Sequence, residues 1–399
     1  MKIMSVVGAR PNFMKIAPLV RAIESHNAKG GSISHILVHT GQHYDARMSA
    51  AFFDALDIPH PDIDLEIGSG SHAEQVGRTM IAFENVVRER KPDWVIVVGD
   101  VNATCACSIT AKKEHVKLAH IEAGLRSFDL DMPEEINRMV TDRLSDLLFT
   151  TDEMASQNLR HEGVPANRIK RVGNIMIDTL ESQRARAAAL DIGRILAENS
   201  WDGVPDGKAD VASCREFAVI TMHRPSNVDT KAVLEPLLRF VVKEVCVDMP
   251  VIWPIHPRTQ ARLVEFGLWE MATSVPNLLF LHPVGYHEML RLNMGATVML
   301  TDSGGLQEEC CVLGTPCLTL RWNTERPITL REHGGASVLV GNAVDNLRRE
   351  YASVRHRTRV PQRPPLWDGQ TAARIVRELV EAGEVCLENG LPRAVRPAA

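Results

Sequence analysis

The feature that most constrains this chain of 399 residues is an alternation, met twice along its length, of short apolar runs with longer amphipathic segments. Short apolar runs that end in small or polar residues mark parallel strands buried on both faces, and the segments between them are the connecting helices. In the first half the expected strands are residues 2–7, 35–40, 94–99, 118–122, 147–151 and 169–172. Residues 73–90 and 103–115 keep helical spacing, and Met80, Ile81, Phe83, Val86 and Val87 form the expected buried stripe of the first. After a polar stretch with Gly and Pro at 199–212 the alternation restarts, with strands expected at 217–222, 251–256, 278–281, 298–301, 317–320 and 336–341.

A chain of this length exceeds what a single core sustains, so two domains of roughly 150–200 residues each are expected. The reading is an α/β protein of two Rossmann-like domains. The first covers 1–173 together with a C-terminal helix at about 369–390, and the second covers 174–368, with the break near Gly173 and Asn174. In open parallel sheets the ligand site is carried by loops at the carboxyl ends of the strands, so two such domains facing each other are expected to share a central cleft.

Composition closes several alternatives. With 45% hydrophobic and 24% charged residues the chain has the make-up of an ordinary globular protein. A net charge of -5 and a pI near 6.3 offer no positive field to draw nucleic acid or an anionic membrane. No apolar run approaches the roughly 20 residues that cross a bilayer, and Arg10 and Lys15 interrupt the N-terminal one too early for a signal peptide. The eight cysteines show neither CxxC pairs nor Cys/His spacing for zinc, so reduced thiols in a cytoplasm, with no metal, are expected.

The polar motifs fall where the strands end. Gly8 to Lys15 leaves the first strand and opens a helix, whose free amides and positive end, with Arg10 and Lys15, suit a phosphate. It is not the GxGxxG fingerprint of a dinucleotide site, and the plain alternative is a strand-to-helix turn with two solvated cations. Asp100 ends one strand, Glu122 ends the next, and Glu134 and Glu135 follow Pro133 in the loop after it. Carboxylates converging in one place push their pKa values apart, so that one holds a proton while another accepts one. The plain alternative for one of Glu134 and Glu135 is helix capping after Pro133. In the second half His223 and Arg224 stand at the mouth of a strand, followed by Ser226 and Asn227. The turn Asp302, Ser303, Gly304, Gly305 suits a phosphate, and Glu309, one turn into the helix, suits the hydroxyls of a ribose. A capping Asp302 or Ser303 would explain the same turn. Arg326 adds a cation in a later loop.

Taken in order, GARPNFMK, TGQH, GDVNAT, HIEAGLRS, MPEEINR, HRPSN, DSGGLQEE and TERP resemble the non-hydrolysing UDP-N-acetylglucosamine 2-epimerase family, over residues 1–341. The resemblance implies the glycosyltransferase-B architecture, a homodimer, no cofactor, and a C-terminal helix returning to the first domain. It carries the acid/base carboxylates onto Asp100, Glu122 and Glu134, and the diphosphate contacts onto Arg10 and His223. Lys15 falls on a substrate-binding position, and Ser303, Gly304 and Gly305 on the diphosphate and uridine contacts. Glu309 falls on the ribose clamp and Arg326 on a further UDP contact. Met289, near Tyr286, stands where many members line the uracil pocket with an aromatic residue. Some members bind a second UDP-sugar as activator around TGQH, which points to Gln42 and His43, although residues 71–75 differ from the usual later segment.

The implied reaction inverts C2 of the sugar. A C2 hydrogen beside an acetal carbon is not acidic, so the resemblance implies loss of UDP from C1 as the proton leaves, through a 2-acetamidoglucal, followed by re-addition. That needs a base, an acid on the other face and cations for the departing diphosphate. Rival expectations are a sugar-nucleotide glycosyltransferase of the same fold, a 2-epimerase of a UDP-diacetamido-uronic acid, and a non-catalytic UDP-sugar sensor.

Overall fold

The computed structural model describes residues 1–8, 10–41, 60–201 and 216–388, and of residues 10, 11 and 385–388 the backbone alone. It divides into two compact units, Met1–Thr179 with the C-terminal segment from Pro365, and Leu180–Pro364.

The first unit is built on seven strands: β1 (Lys2–Val7), β2 (Ser34–His39), β3 (Ile63–Asp64), β4 (Trp94–Val98), β5 (Lys117–Ala123), β6 (Leu147–Thr150) and β7 (Ile169–Arg171). They lie in the order β3-β2-β1-β4-β5-β6-β7, and every pairing is parallel. β4, Trp-Val-Ile-Val-Val, is buried throughout, because β-branched side chains fill both faces of a sheet covered by helices. The order reverses between β1 and β4, and the carboxyl ends of that pair are where open α/β sheets take ligands. In helix His72–Arg90, Thr79, Phe83 and Val87 point inward, and Ser71 and Glu74 close a capping box at its start. Ile81, expected in the buried stripe, is 69% exposed. Two residues from Phe83 is about 200° around a helix, the opposite side.

The C-terminal helix Thr371–Glu388 packs on helix Arg10–Ala28 within this unit. Its first turn is held by the Asp178 carboxylate, which accepts the backbone N–H groups of Thr371 (3.0 Å) and Ala372 (2.7 Å). Just before it, the buried Trp367 donates its indole N–H to the Thr151 carbonyl at 3.0 Å. Gly173 has φ +98°, and a Cβ there would lie 2.1 Å from the Leu366 oxygen, so only glycine lets this segment seat.

The second unit repeats the plan with β8 (Ala218–Thr221), β9 (Val251–Pro254), β10 (Leu278–Leu281), β11 (Val298–Thr301), β12 (Cys317–Thr319) and β13 (Ser337–Leu339). The order is β10-β9-β8-β11-β12-β13, again all parallel, with the reversal between β8 and β11. Alternate residues feed the two cores: Ala218, Ile220, Trp253 and Leu300 enter one, and Val219, Ile252 and Met299 the other. No helix among the described residues is long and apolar enough to cross a membrane.

Candidate active site

In the first unit the expected carboxylates gather at the carboxyl ends of β4 and β5. Glu122, expected as the last residue of its strand, is the last but one of β5, at a shift in the register with β6 between Ile121 and Ala123, and has φ +69°. A bulge with a left-handed non-glycine residue stores strain and re-aims the side chain, a pattern that recurs beside active sites. The buried Glu122 carboxylate meets Lys15 Nζ through Oε2 at 2.5 Å, and its Oε1 has no hydrogen-bond partner among the described residues. Lys15 is itself buried, reaching over from the helix after β1. Gly99 makes room between them. Its φ is +70°, and a Cβ would stand 3.2 Å from both Lys15 Nζ and Asn12 Nδ2.

Asp100 follows Gly99 and bonds Arg138 Nη1 at 2.5 Å, with its own side chain 26% exposed. Arg138 is buried in helix Pro133–Leu144 and also holds Glu135 at 2.6 Å. Glu134 and Glu135 lie not in a loop but in the first turn of that helix. The two adjacent carboxylates separate cleanly there. Glu135 is buried and accepts the N–H groups of Ser127 (3.0 Å) and Phe128 (3.1 Å), whereas Glu134 is exposed. Glu135 therefore has a structural task, and Glu134 is left available to a ligand.

Beneath these groups lies a buried network that the sequence reading missed. His120 meets Asp142 Oδ1 at 2.6 Å with Nδ1 and the Gly99 carbonyl at 2.9 Å with Nε2. Asp142 further accepts the Gly124 N–H (3.0 Å) and Arg126 Nη1 (2.7 Å). Burial alone would lift the Asp142 carboxyl, but His120 and then Arg126 hold it below its ordinary value. Asp142 thus holds the Gly124 N–H, two residues past Glu122, and through His120 the Gly99 carbonyl beside Asp100. The spacing of β5 does not mark it, because the bulge at Glu122 interrupts the alternation along the strand.

In the second unit the loops after β8 and β11 meet at Asp302. Its carboxylate is fully buried, and Oδ2 accepts the N–H groups of His223 (2.9 Å) and Arg224 (2.8 Å) and Nδ2 of Asn227 (3.1 Å). Oδ1 faces His223 Nδ1 at 2.8 Å. Burial pushes this carboxyl up, and the hydrogen bonds from His223 and Arg224 more than offset it, so it stays below its ordinary value. Asp302 does not cap its own helix. The N-cap of Gly304–Leu313 is Ser303, and no side chain caps that end. A Cβ on Gly305 would meet open space, whereas one on Gly304 would stand 2.7 Å from Arg326 Nη1. Arg326 is buried between Glu308, at 2.7 Å, and Glu325.

Glu309 is buried in the same helix, and its Oε2 has no partner among the described residues. Burial pushes it up to about 7, with Glu308 adding to the rise and Asn293 and Tyr286 opposing it. Met289, half-buried on helix Tyr286–Gly295, packs against the cluster of Ile195, Phe217 and Leu292. The Arg10 side chain, Gln42 and His43 lie outside the described residues. No group of His, Cys, Asp and Glu among the described residues is arranged to hold a metal ion.

The family model for UDP-N-acetylglucosamine 2-epimerase matches residues 25–380. The chain belongs to that family. A Methanocaldococcus jannaschii relative described as UDP-N-acetylglucosamine 2-epimerase is 40% identical over 95% of this chain and 99% of its own. The crystal structure of the M. jannaschii UDP-GlcNAc 2-epimerase with UDP-GlcNAc and UDP superposes with a TM-score of 0.84 at 38% identity, covering 96% of this chain and 100% of that one. A Pseudomonas aeruginosa relative, described as UDP-2,3-diacetamido-2,3-dideoxy-D-glucuronate 2-epimerase, is 40% identical over 86% of this chain and 90% of its own. This epimerase family comprises isomerases, and the two parallel-sheet units are the parts of its glycosyltransferase-B-like fold.

Proposed function

We propose that the chain interconverts UDP-N-acetylglucosamine and UDP-N-acetylmannosamine, by eliminating UDP to a 2-acetamidoglucal and adding it back. The observation that carries this reading is the pairing of two chemistries: carboxylates held by cations at the carboxyl ends of β4 and β5, next to one switch point, and an uncapped glycine turn with His223 after β8 and β11, at the other. The second serves the nucleotide. His223, Ser303 and the amides of Gly304 and Gly305 receive the diphosphate, Glu309 receives the ribose hydroxyls, Arg326 steadies the turn, and Met289 lies on the uracil side. The first serves the sugar.

As a carboxylate of the set Asp100, Glu122 and Glu134 takes the C2 proton, the electron pair of that C–H bond becomes the C1–C2 double bond and the C1–O bond breaks toward UDP. A protonated carboxyl on the other face returns a proton to C2 while a UDP oxygen re-attacks C1, so atoms and charge balance with no cofactor. Arg10, Lys15 and His223 stabilise charge on the diphosphate as it leaves. A homodimer serving cell-surface polysaccharide biosynthesis completes the reading that the resemblance supports.

The Pseudomonas relative at equal identity favours one further reading, a UDP-diacetamido-uronate as substrate. Both are tested by incubating the protein in deuterated water with each sugar nucleotide, without added cofactor, and following the sugar by NMR. The manno epimer bearing deuterium at C2 from UDP-N-acetylglucosamine is the expected result. Turnover of the uronate alone would transfer the mechanism to that substrate, and turnover of neither would refute the epimerase reading.

A further inference from the structure

The proposed diphosphate contact of His223 rests on one ring atom, because its other nitrogen faces a buried carboxylate. Nδ1 stands 2.8 Å from Asp302 Oδ1, and the His223 side chain is 42% exposed while that of Asp302 is 0% exposed. The ring therefore turns one edge to the buried carboxylate and the other to solvent. The charged and titratable groups around it come from three loops: Asp302 after β11, Arg224 beside it after β8, and after β9 the His256 ring, centred 5.6 Å away, with Arg258 beyond. Burial and then the His223 ring hold His256 below its ordinary value, so it contributes little positive charge at neutral pH.

We infer that Asp302 is a positioning residue that keeps the Nδ1 hydrogen of His223 pointing inward, so that Nε2 can donate to a diphosphate only when the ring carries a second proton. The inference rests on the UDP-sugar reading and deepens it. A carboxylate only accepts hydrogen bonds, so the nitrogen facing it carries a hydrogen in both charge states of the ring. A diphosphate likewise only accepts. With a neutral ring, the Nε2 lone pair would face phosphate oxygen, so binding UDP draws a proton onto His223. The leaving group thus meets a cation rather than a neutral donor. The buried Asp302 carboxylate is suited to this because three other donors keep it ionised.

The substitution that isolates the effect is Asp302→Asn. Its oxygen still accepts the N–H groups of His223 and Arg224, but its NH2 faces Nδ1 and leaves the hydrogen of a neutral ring on Nε2, a donor that needs no extra proton. UDP affinity of the full-length protein and the variant is measured by calorimetry from pH 6 to 8.5 at constant ionic strength, with uridine as a control lacking phosphate. Glu309 acts equally in both proteins, so the ratio of their affinities isolates His223. For UDP, the advantage of the original protein over the variant should shrink as pH rises, by up to about tenfold per pH unit for a single linked proton. For uridine the ratio should stay flat.

A UDP ratio independent of pH would overturn the inference and leave Asp302 as a loop anchor only. Absence of UDP binding by the original protein would overturn the functional reading and this inference with it. A second measurement does not depend on the Asp302→Asn variant folding: 15N NMR of histidine-labelled protein, assigned through His223→Gln. It should show the neutral His223 ring protonated at Nδ1, and a hydrogen on Nε2 instead would contradict the proposal.

Discussion

At the scale of single residues, the Lys15–Glu122 pair decides most. Both groups are buried, so each stabilises the other's charge, and removing one leaves the other uncompensated. Glu122→Gln should lower turnover by about 10²-fold or more, leave UDP affinity nearly unchanged, and lower stability by up to about 3 kcal/mol. Adding Lys15→Met should recover much of that stability, read as the denaturation midpoint, without recovering turnover. A double variant no more stable than the single one would show that the pair is not a coupled unit.

Glu309 yields a pH dependence of its own. Its folded-state value near 7 lies above the ordinary 4.5, so its favourable contribution is present below 4.5 and is lost as pH rises through about 7. Glu309→Gln should thus stabilise the ligand-free protein at pH 8 relative to pH 5, by about 3 kcal/mol at most. Ribose hydroxyls need the ionised form, so uridine affinity should climb between pH 6 and 8 in the original protein and stay level in the variant. The identity of these side chains was legible in the sequence, because charges directly after apolar strands stand out. Their partners were not, since nothing local links Asp302 to His223 or Arg138 to Asp100, which only the fold brings together.

At the scale of elements, strand positions were read almost to the residue, because buried parallel strands are continuous apolar runs. The two-residue β3, too short and too polar to form such a run, was not. Glu122 lies within one residue of its expected strand end, but the bulge there is set by pairing with β6 and leaves no mark on spacing. The docking of the last helix was equally hidden. Asp178 caps it across more than 190 residues of chain, a contact with no local signature. Asp178→Ala should leave two buried N–H groups unsatisfied, lower stability by about 1–3 kcal/mol, and speed hydrogen exchange at Thr371 and Ala372. Unchanged exchange at those amides would show that the cap contributes nothing.

At the scale of the whole molecule, a twofold plan divides the chemistry. Each unit places its polar residues at or next to the point where strand order reverses, and the two sets differ in kind: paired carboxylates and cations in one, an open helix start with a histidine in the other. That division makes sense if the bond between nucleotide and sugar is broken and remade, because the nucleotide must be retained while C2 changes hands. The most direct test uses UDP-N-acetylglucosamine carrying 18O in the bridge between C1 and the β-phosphorus, incubated in deuterated water. Cleavage of the C1–O bond predicts that the label spreads into the non-bridging β-phosphoryl positions as deuterium enters C2. Deuterium at C2 with the label still confined to the bridge would contradict elimination and re-addition.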